Sequence, residues 1–244
     1  ATLADGETIL ENVAKEPEIV FLANILNQCG AKIKGHGTDF LIIKGVQSLK
    51  PINCDILPDR IETGTYMIAS AITSGNVKIT NCLPQQVEAL TMKLRQAGLI
   101  VEEAERSLRV ISNGQFKGVD ITTHPHPGFA TDLQAQFMAL MAIAEGQSII
   151  LETVFENRFM HAAELKRMGA NITIQGRTAV VAGVKQLSGA PLMATDLRAS
   201  ASLVLAALAA KGQSKISRVY HIDRGYSAIE QKLYMLGAKI FREK

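Results

Sequence analysis

The chain has 244 residues, 47% of them hydrophobic, enough for one large core or two ordinary ones. A net charge of +3, without Lys/Arg runs or interleaved aromatics, gives no support to a nucleic-acid surface. The longest apolar run, "ASLVLAALAA", is too short to span a bilayer. Three cysteines, Cys29, Cys54 and Cys82, lack metal-type spacing and leave an odd one over, which points to a reducing compartment. With no export pattern after Ala1, a cytoplasmic location is expected.

In chain order, "ADGETILENV", "TSGNVKITNC", "AEGQSIILETV" and "AKGQSKISRVY" align on Gly6, Gly75, Gly146 and Gly212, at spacings of 69, 71 and 66 residues. Each opens a short β-type run, then a helical pattern, then a second glycine 24, 23, 23 or 25 residues on, at Gly30, Gly98, Gly169 and Gly237. Four recurrences in step at two positions define a repeat. The first copy begins inside a unit, and "LKPINCDILPDR", with two prolines and no helical period, is the linker candidate. In the second copy "QQVEALTMKLRQAG" carries Val87, Leu90 and Leu94 at helical spacing and stops at Gly98. In the third, "ANITIQGRTAVVAG" reads as a hairpin turning at Gly176.

Between hairpins and the next first glycine lie "RIETGTYMIASAITSG", "DLQAQFMALMAIAEG" and "DLRASASLVLAALAAKG", apolar nearly all round and therefore expected to be buried helices. The pattern predicts an α/β (α+β) fold of repeated units about 70 residues long. Residues 1–55 are expected to be an incomplete unit of one domain. Residues 56–244 are expected to be a second domain of three units, the last lacking a strand that a missing N-terminal segment would supply.

The inner helices begin "LPDRIETG", "ATDLQAQF" and "ATDLRASA", with Asp59, Asp132 and Asp196 at the same point. Recurrence with the fold is what helix N-caps produce. The neighbours Arg60, Gln134 and Arg198 differ between units, so they are not dictated by the repeat. Arg158 and Arg224 stand where the other helices are expected to begin. Helix N-termini favour anions, and guanidinium groups add bidentate bonds to carboxylate or phosphate. Two readings stay open on pattern alone, a mouth for a small multiply charged anion and ordinary solvated arginines.

The stretches "LPDRIETGT", "HPHPGFATDLQAQF", "TVFENRFMH", "SGAPLMATDLRASASLVLA" and "YHIDRGY" resemble the UDP-N-acetylglucosamine 1-carboxyvinyltransferase family of enolpyruvyl transferases, along essentially the whole chain. The resemblance covers only the C-terminal three-fifths of such an enzyme. It implies βαβαββ-type units with buried inner helices in an inside-out barrel architecture. It also implies transfer of the enolpyruvyl group of phosphoenolpyruvate to the 3-hydroxyl of UDP-N-acetylglucosamine, the first committed step of peptidoglycan synthesis, with no cofactor or metal. By resemblance Arg198 and Arg224 bind the anionic groups of phosphoenolpyruvate and Arg158 supports them. Asp132 takes the proton of the sugar hydroxyl, Asp196 is a second acid near the reacting carbon, and the backbone at Val154 contacts the UDP-sugar.

The family's lysine for phosphoenolpyruvate and its loop cysteine or aspartate have no counterpart here, and none of the three cysteines matches that loop. The isolated chain is therefore expected to show negligible turnover and to depend on the missing N-terminal half. The reading from a different class is a noncatalytic repeat protein that keeps an anion-binding mouth. His124 and His126 have a spacing able to grip a metal on a strand, but no Cys or carboxylate cluster completes a site. A rigid Pro-rich loop beside Asp132 is expected instead, with His126 orienting substrate. His161 and His221 flank the arginine-bearing turns as candidates to support them.

Overall fold

In the computed structural model, which describes residues 1–243, the chain forms two compact units. The first comprises residues 1–58 together with Pro125–Gly128. It contains strand β1 (Glu7–Glu11), helix α1 (Pro17–Gln28), β2 (Lys32–Lys34) and β3 (Phe40–Lys44) in an antiparallel sheet ordered β1-β3-β2. Helix α1 starts on a proline, whose missing N–H belongs to a group left unpaired there in any case. Alternation along β3 turns Leu41 and Ile43 inward, where they join Ala23, Ala31 and Ile33 in a small core.

The second unit, residues 59–124 and 129–244, holds the main core. It begins with α2 (Arg60–Ile72), β4 (Asn76–Thr80), α3 (Glu88–Gln96), β5 (Ile100–Ala104) and β6 (Ser107–Ile111). There follow β7 (Ile121–Thr122), a 3-10 turn at Thr131–Leu133, α4 (Gln134–Met141), β8 (Gln147–Leu151), α5 (Met160–Arg167), β9 (Asn171–Gln175) and β10 (Thr178–Ala182). Last come β11 (Pro191–Met193), α6 (Leu197–Ala209), β12 (Lys215–Ser217), a 3-10 helix at Val219–Arg224 and α7 (Ile229–Met235). The stretch from β7 to β10 is a complete βαβαββ unit, as the family resemblance implied.

Its sheets repeat one plan. In β4-β6-β5 and in β7-β8-β10-β9 the strand made last sits between the two made before it, antiparallel to both. The short strands β7 and β11 add in parallel to β8 and β12. Gly98 and Gly169, which end α3 and α5, have φ of +100° and +92°, a region glycine enters without strain. These are two of the second glycines of the sequence repeat.

Helices α2, α4 and α6 pack on one another. Every residue of α4 is buried, so it has no solvated face and draws its stability from packing rather than from propensity. Burying Phe137, Met138, Leu140 and Met141 contributes about 1.5–3 kcal/mol for each side chain. Approach is closest at Gly64 in α2, where an added Cβ would lie 2.7 Å and 2.8 Å from the two methyls of Leu133. Leu133 closes the 3-10 turn that carries Asp132. Gly64→Ala is therefore expected to destabilise the chain by about 1–3 kcal/mol through overpacking, despite alanine's better helix propensity. Urea denaturation checks this, and a neutral or stabilised variant would contradict the packing described.

Candidate active site

In the second unit a partly buried charged cluster lies where the inner helices begin. At α2 and α6 the acids act as the repeat predicts. Asp59 Oδ1 accepts hydrogen bonds from the Ile61 and Glu62 N–H groups at 2.7 and 3.0 Å, and Asp196 Oδ1 from those of Arg198 and Ala199 at 2.8 and 2.9 Å. Ser200 Oγ also donates to the Asp196 carbonyl.

Asp132 departs from this pattern. The expected cap is absent, because Asp132 lies within a 3-10 turn and α4 has no side-chain cap. Its carboxylate bridges two guanidinium groups instead, with Oδ1 accepting from Arg158 Nη2 at 2.5 Å and Oδ2 from Arg198 Nη2 at 2.9 Å. Both arginines keep only 16% of their side-chain surface exposed, against 39% for Asp132. A helix N-terminus therefore does not restrain Asp132; two arginines from other elements do.

Behind Arg198 stands a buried polar network. The Tyr226 hydroxyl lies 2.8 Å from Thr65 Oγ1, accepts from Gln136 Nε2 at 3.3 Å and from Arg198 Nη1 at 3.5 Å. Gln136 Nε2 also donates to the Asp132 carbonyl at 2.9 Å. Burial opposes the charge of Arg198, but Asp132 and then Tyr226 outweigh it and raise the guanidinium pKa above its ordinary value. Burial raises the Tyr226 phenol too, so it remains a neutral donor and acceptor.

The other candidates are placed less closely. Arg158 precedes α5, its guanidinium 5.0 Å from the Phe155 ring centroid. Contrary to the expectation from sequence, Arg224 does not begin a helix; it closes the 3-10 helix before Gly225, is exposed, and makes no ion pair or side-chain hydrogen bond among the described residues. Gly225 rests on Leu197, where an added Cβ would come within 2.9 Å, so the Arg224 turn sits against the start of α6. Val154 is 42% exposed, with its N–H donated to Glu152 Oε1 at 2.9 Å. His126 groups with the first unit, where its N–H donates to Glu16 Oε1 at 3.4 Å. Among the described residues no three His, Cys, Asp or Glu side chains are grouped to hold a metal, and no helix is long and apolar enough to cross a membrane.

Thr65, Gln136, Glu152 and Tyr226 were not singled out from sequence. Gln136 and Thr65 sit on apolar helices where a buried polar side chain must find a partner, and that is the one sequence signal that pointed to them.

The βαβαββ unit with its buried inner helix is shared with solved enolpyruvyl transferases. The enolpyruvyl transferase NikO of Streptomyces tendae superposes with a TM-score of 0.86 at 28% identity, over 98% of this chain and 57% of that one. An EPSP synthase from Acinetobacter baumannii shares the fold at a TM-score of 0.75 and 19% identity. The EPSP synthase (3-phosphoshikimate 1-carboxyvinyltransferase) family matches residues 1–233, and the chain belongs to it. UDP-N-acetylglucosamine 1-carboxyvinyltransferases of Magnetococcus marinus and Bdellovibrio bacteriovorus are each 60% identical over 243 residues. The match takes in 99% of this chain but only 58% and 59% of those relatives' lengths.

His161, at the start of α5, is wholly buried, and burial lowers its pKa from 6.5 to about 4 although Asp196 and a hydrogen bond to the Arg158 backbone act to raise it. The folded imidazole stays neutral while the unfolded one takes a proton below pH 6.5. The contribution of His161 is therefore complete above pH 6.5 and is lost as pH falls toward 4, by about 3 kcal/mol in all. Urea titrations at pH 7.5 and 4.5 are expected to show that loss, and His161→Phe is expected to flatten it. An equal acid loss in the variant would refute the assignment.

Proposed function

We propose that the chain is the C-terminal portion of a UDP-N-acetylglucosamine 1-carboxyvinyltransferase. The complete enzyme moves the enolpyruvyl group of phosphoenolpyruvate to the 3-hydroxyl of UDP-N-acetylglucosamine and releases phosphate. This is a cytoplasmic reaction that begins peptidoglycan synthesis and so serves cell-wall biogenesis, cell shape and division. The observation that carries the reading is the Asp132 carboxylate held between Arg158 and Arg198. The 60% identity to transferases of that name supports the choice of acceptor.

Each residue has a task in this reading. Arg198 and Arg224 take the phosphate and carboxylate of phosphoenolpyruvate, and Arg158 adds a third positive charge; fixed cations stabilise the charge that develops in the transition state. As the anion enters it competes with Asp132 for the two guanidinium groups, and the displaced carboxylate becomes free to accept the 3-hydroxyl proton as the oxygen attacks C2. Asp196, held by the start of α6, stands as the second acid near the tetrahedral carbon. The Val154 loop receives the UDP-sugar.

Residues 1–55 belong, on this proposal, to the last unit of the family's other domain. Residues 56–244 form a domain that lacks one strand. In support, among the described residues the third sheet consists of β11 and β12, where the plan of the other two calls for a further strand against β12. A cavity of about 990 Å³ there counts Lys215–Ser217 and Ala238–Arg242 among its lining residues. The general acid and the rest of the nucleotide pocket come from the remainder of the family length.

The test is phosphate release from phosphoenolpyruvate with UDP-N-acetylglucosamine or shikimate 3-phosphate as acceptor. The polypeptide extended to family length is expected to turn over only the UDP-sugar, and this chain alone is expected to be inert. Asp132→Asn in the extended protein is expected to cut kcat by roughly 100-fold or more. The same substitution should tighten inorganic phosphate binding by about tenfold, since it removes the competing carboxylate. Turnover with shikimate 3-phosphate, or full activity in Asp132→Asn, would sink the reading.

A further inference from the structure

Glu152 follows β8 and is 1% exposed. A buried carboxylate is costly unless its charge is met, and among the described residues no ion pair to Glu152 is present. Four donors meet it instead. Oε1 accepts from Thr123 Oγ1 at 2.7 Å and from the Val154 and Phe155 N–H groups, each at 2.9 Å. Oε2 accepts from Thr131 Oγ1 at 2.9 Å. Such charge-assisted bonds are the strong ones, and here they replace a counter-ion.

The origin of the donors gives the cluster its meaning. Thr131 opens the 3-10 turn and is bonded in sequence to Asp132. Val154 and Phe155 begin the loop that reaches Arg158, whose guanidinium stands over the Phe155 ring. Thr123 also accepts the Thr153 N–H at 2.9 Å, and Thr153 Oγ1 donates back to the Thr123 carbonyl, so the same carboxylate is anchored to the β7 side of the sheet. The two oxygens thus hold the two segments whose side chains meet in the Asp132–Arg158 pair.

We propose that Glu152 is a positioning residue, a single buried carboxylate that sets the Asp132 turn and the Val154–Arg158 loop in one fixed relation. Proton acceptor and sugar-binding loop are then registered by one group that touches neither substrate. This rests on the reading of Asp132 and Val154 as site residues. It does not depend on which anion or sugar occupies the site.

The test uses the wild-type chain, Glu152→Ala and Thr131→Val, the last removing only the Oε2 arm. Amide hydrogen exchange is expected to speed up at least tenfold at Leu133, Val154 and Phe155 together in Glu152→Ala, while the β8–β10 ladder amides at Ile150 and Ala179 keep their protection. In Thr131→Val the Leu133 amide is expected to loosen while Val154 and Phe155 hold. In the polypeptide extended to family length, Thr131→Val should lower kcat with little change in KM for the UDP-sugar. Glu152→Ala should lower kcat and raise that KM, each about tenfold or more. Glu152→Gln, which keeps one oxygen acceptor, should recover part of both. Loosening confined to one segment, or uniform loosening of the ladder as well, overturns the proposal. If the wild-type extended protein has no transferase activity the reading of function fails, and the exchange pattern still decides the role of Glu152.

Discussion

Two guanidinium groups share one carboxylate, and much of the site's geometry depends on that arrangement. Arg158 and Arg198 come from different elements, and without a negative charge between them their mutual repulsion would push them apart. Asp132 supplies the charge at 2.5 and 2.9 Å. It does so while remaining partly open to solvent, so the pair gains Coulomb energy without the full desolvation penalty of a buried triad. The cluster is closed in charge and still accessible. An incoming anion has to exchange with Asp132, so anion capture and release of the carboxylate are one event on the proposed function.

The helices explain why Asp132 is available for this. Asp59 and Asp196 spend their oxygens on backbone N–H groups at α2 and α6. At α4 the 3-10 turn moves the equivalent acid off the helix end. Leu133, wedged against Gly64, fixes how far it moves. At the N-terminus of α6 the Arg198 and Ala199 N–H groups are taken by Asp196. What that end presents is the Arg198 side chain, steadied by Tyr226, Thr65 and Gln136. The positive charge at this point is therefore carried by a held side chain as well as by the helix end.

Much of this was legible in the sequence, for a physical reason. Glycine positions, apolar helices and caps are decided within a few residues of chain, so the four-fold repeat, the inner helices and two of the three caps could be read directly. Asp132 was misread as a cap because its true partners are 26 and 66 residues away, and no local period encodes such a pair. Arg224 was placed where the other helix of its unit was expected to begin. Gly225, packed on Leu197, ends the 3-10 helix there and lets α7 begin only at Ile229. Glu152 was invisible as a buried charge, since "LETV" alternates as a strand end does and says nothing about four donors arriving from elsewhere.

The polar side chains at these helix starts run against the economy of the core. Thr65, Gln136 and Tyr226 are buried among residues whose neighbours are almost all apolar, and a purely structural core of the same volume would be at least as stable with hydrophobes in their place. Each polar group is instead joined to the next until the chain of bonds ends at Arg198 and Asp132. A network that terminates on a partly exposed charge pair is explained by what that pair has to do. All of its members lie in one compact unit, so the electrostatic half of the proposed chemistry is assembled here.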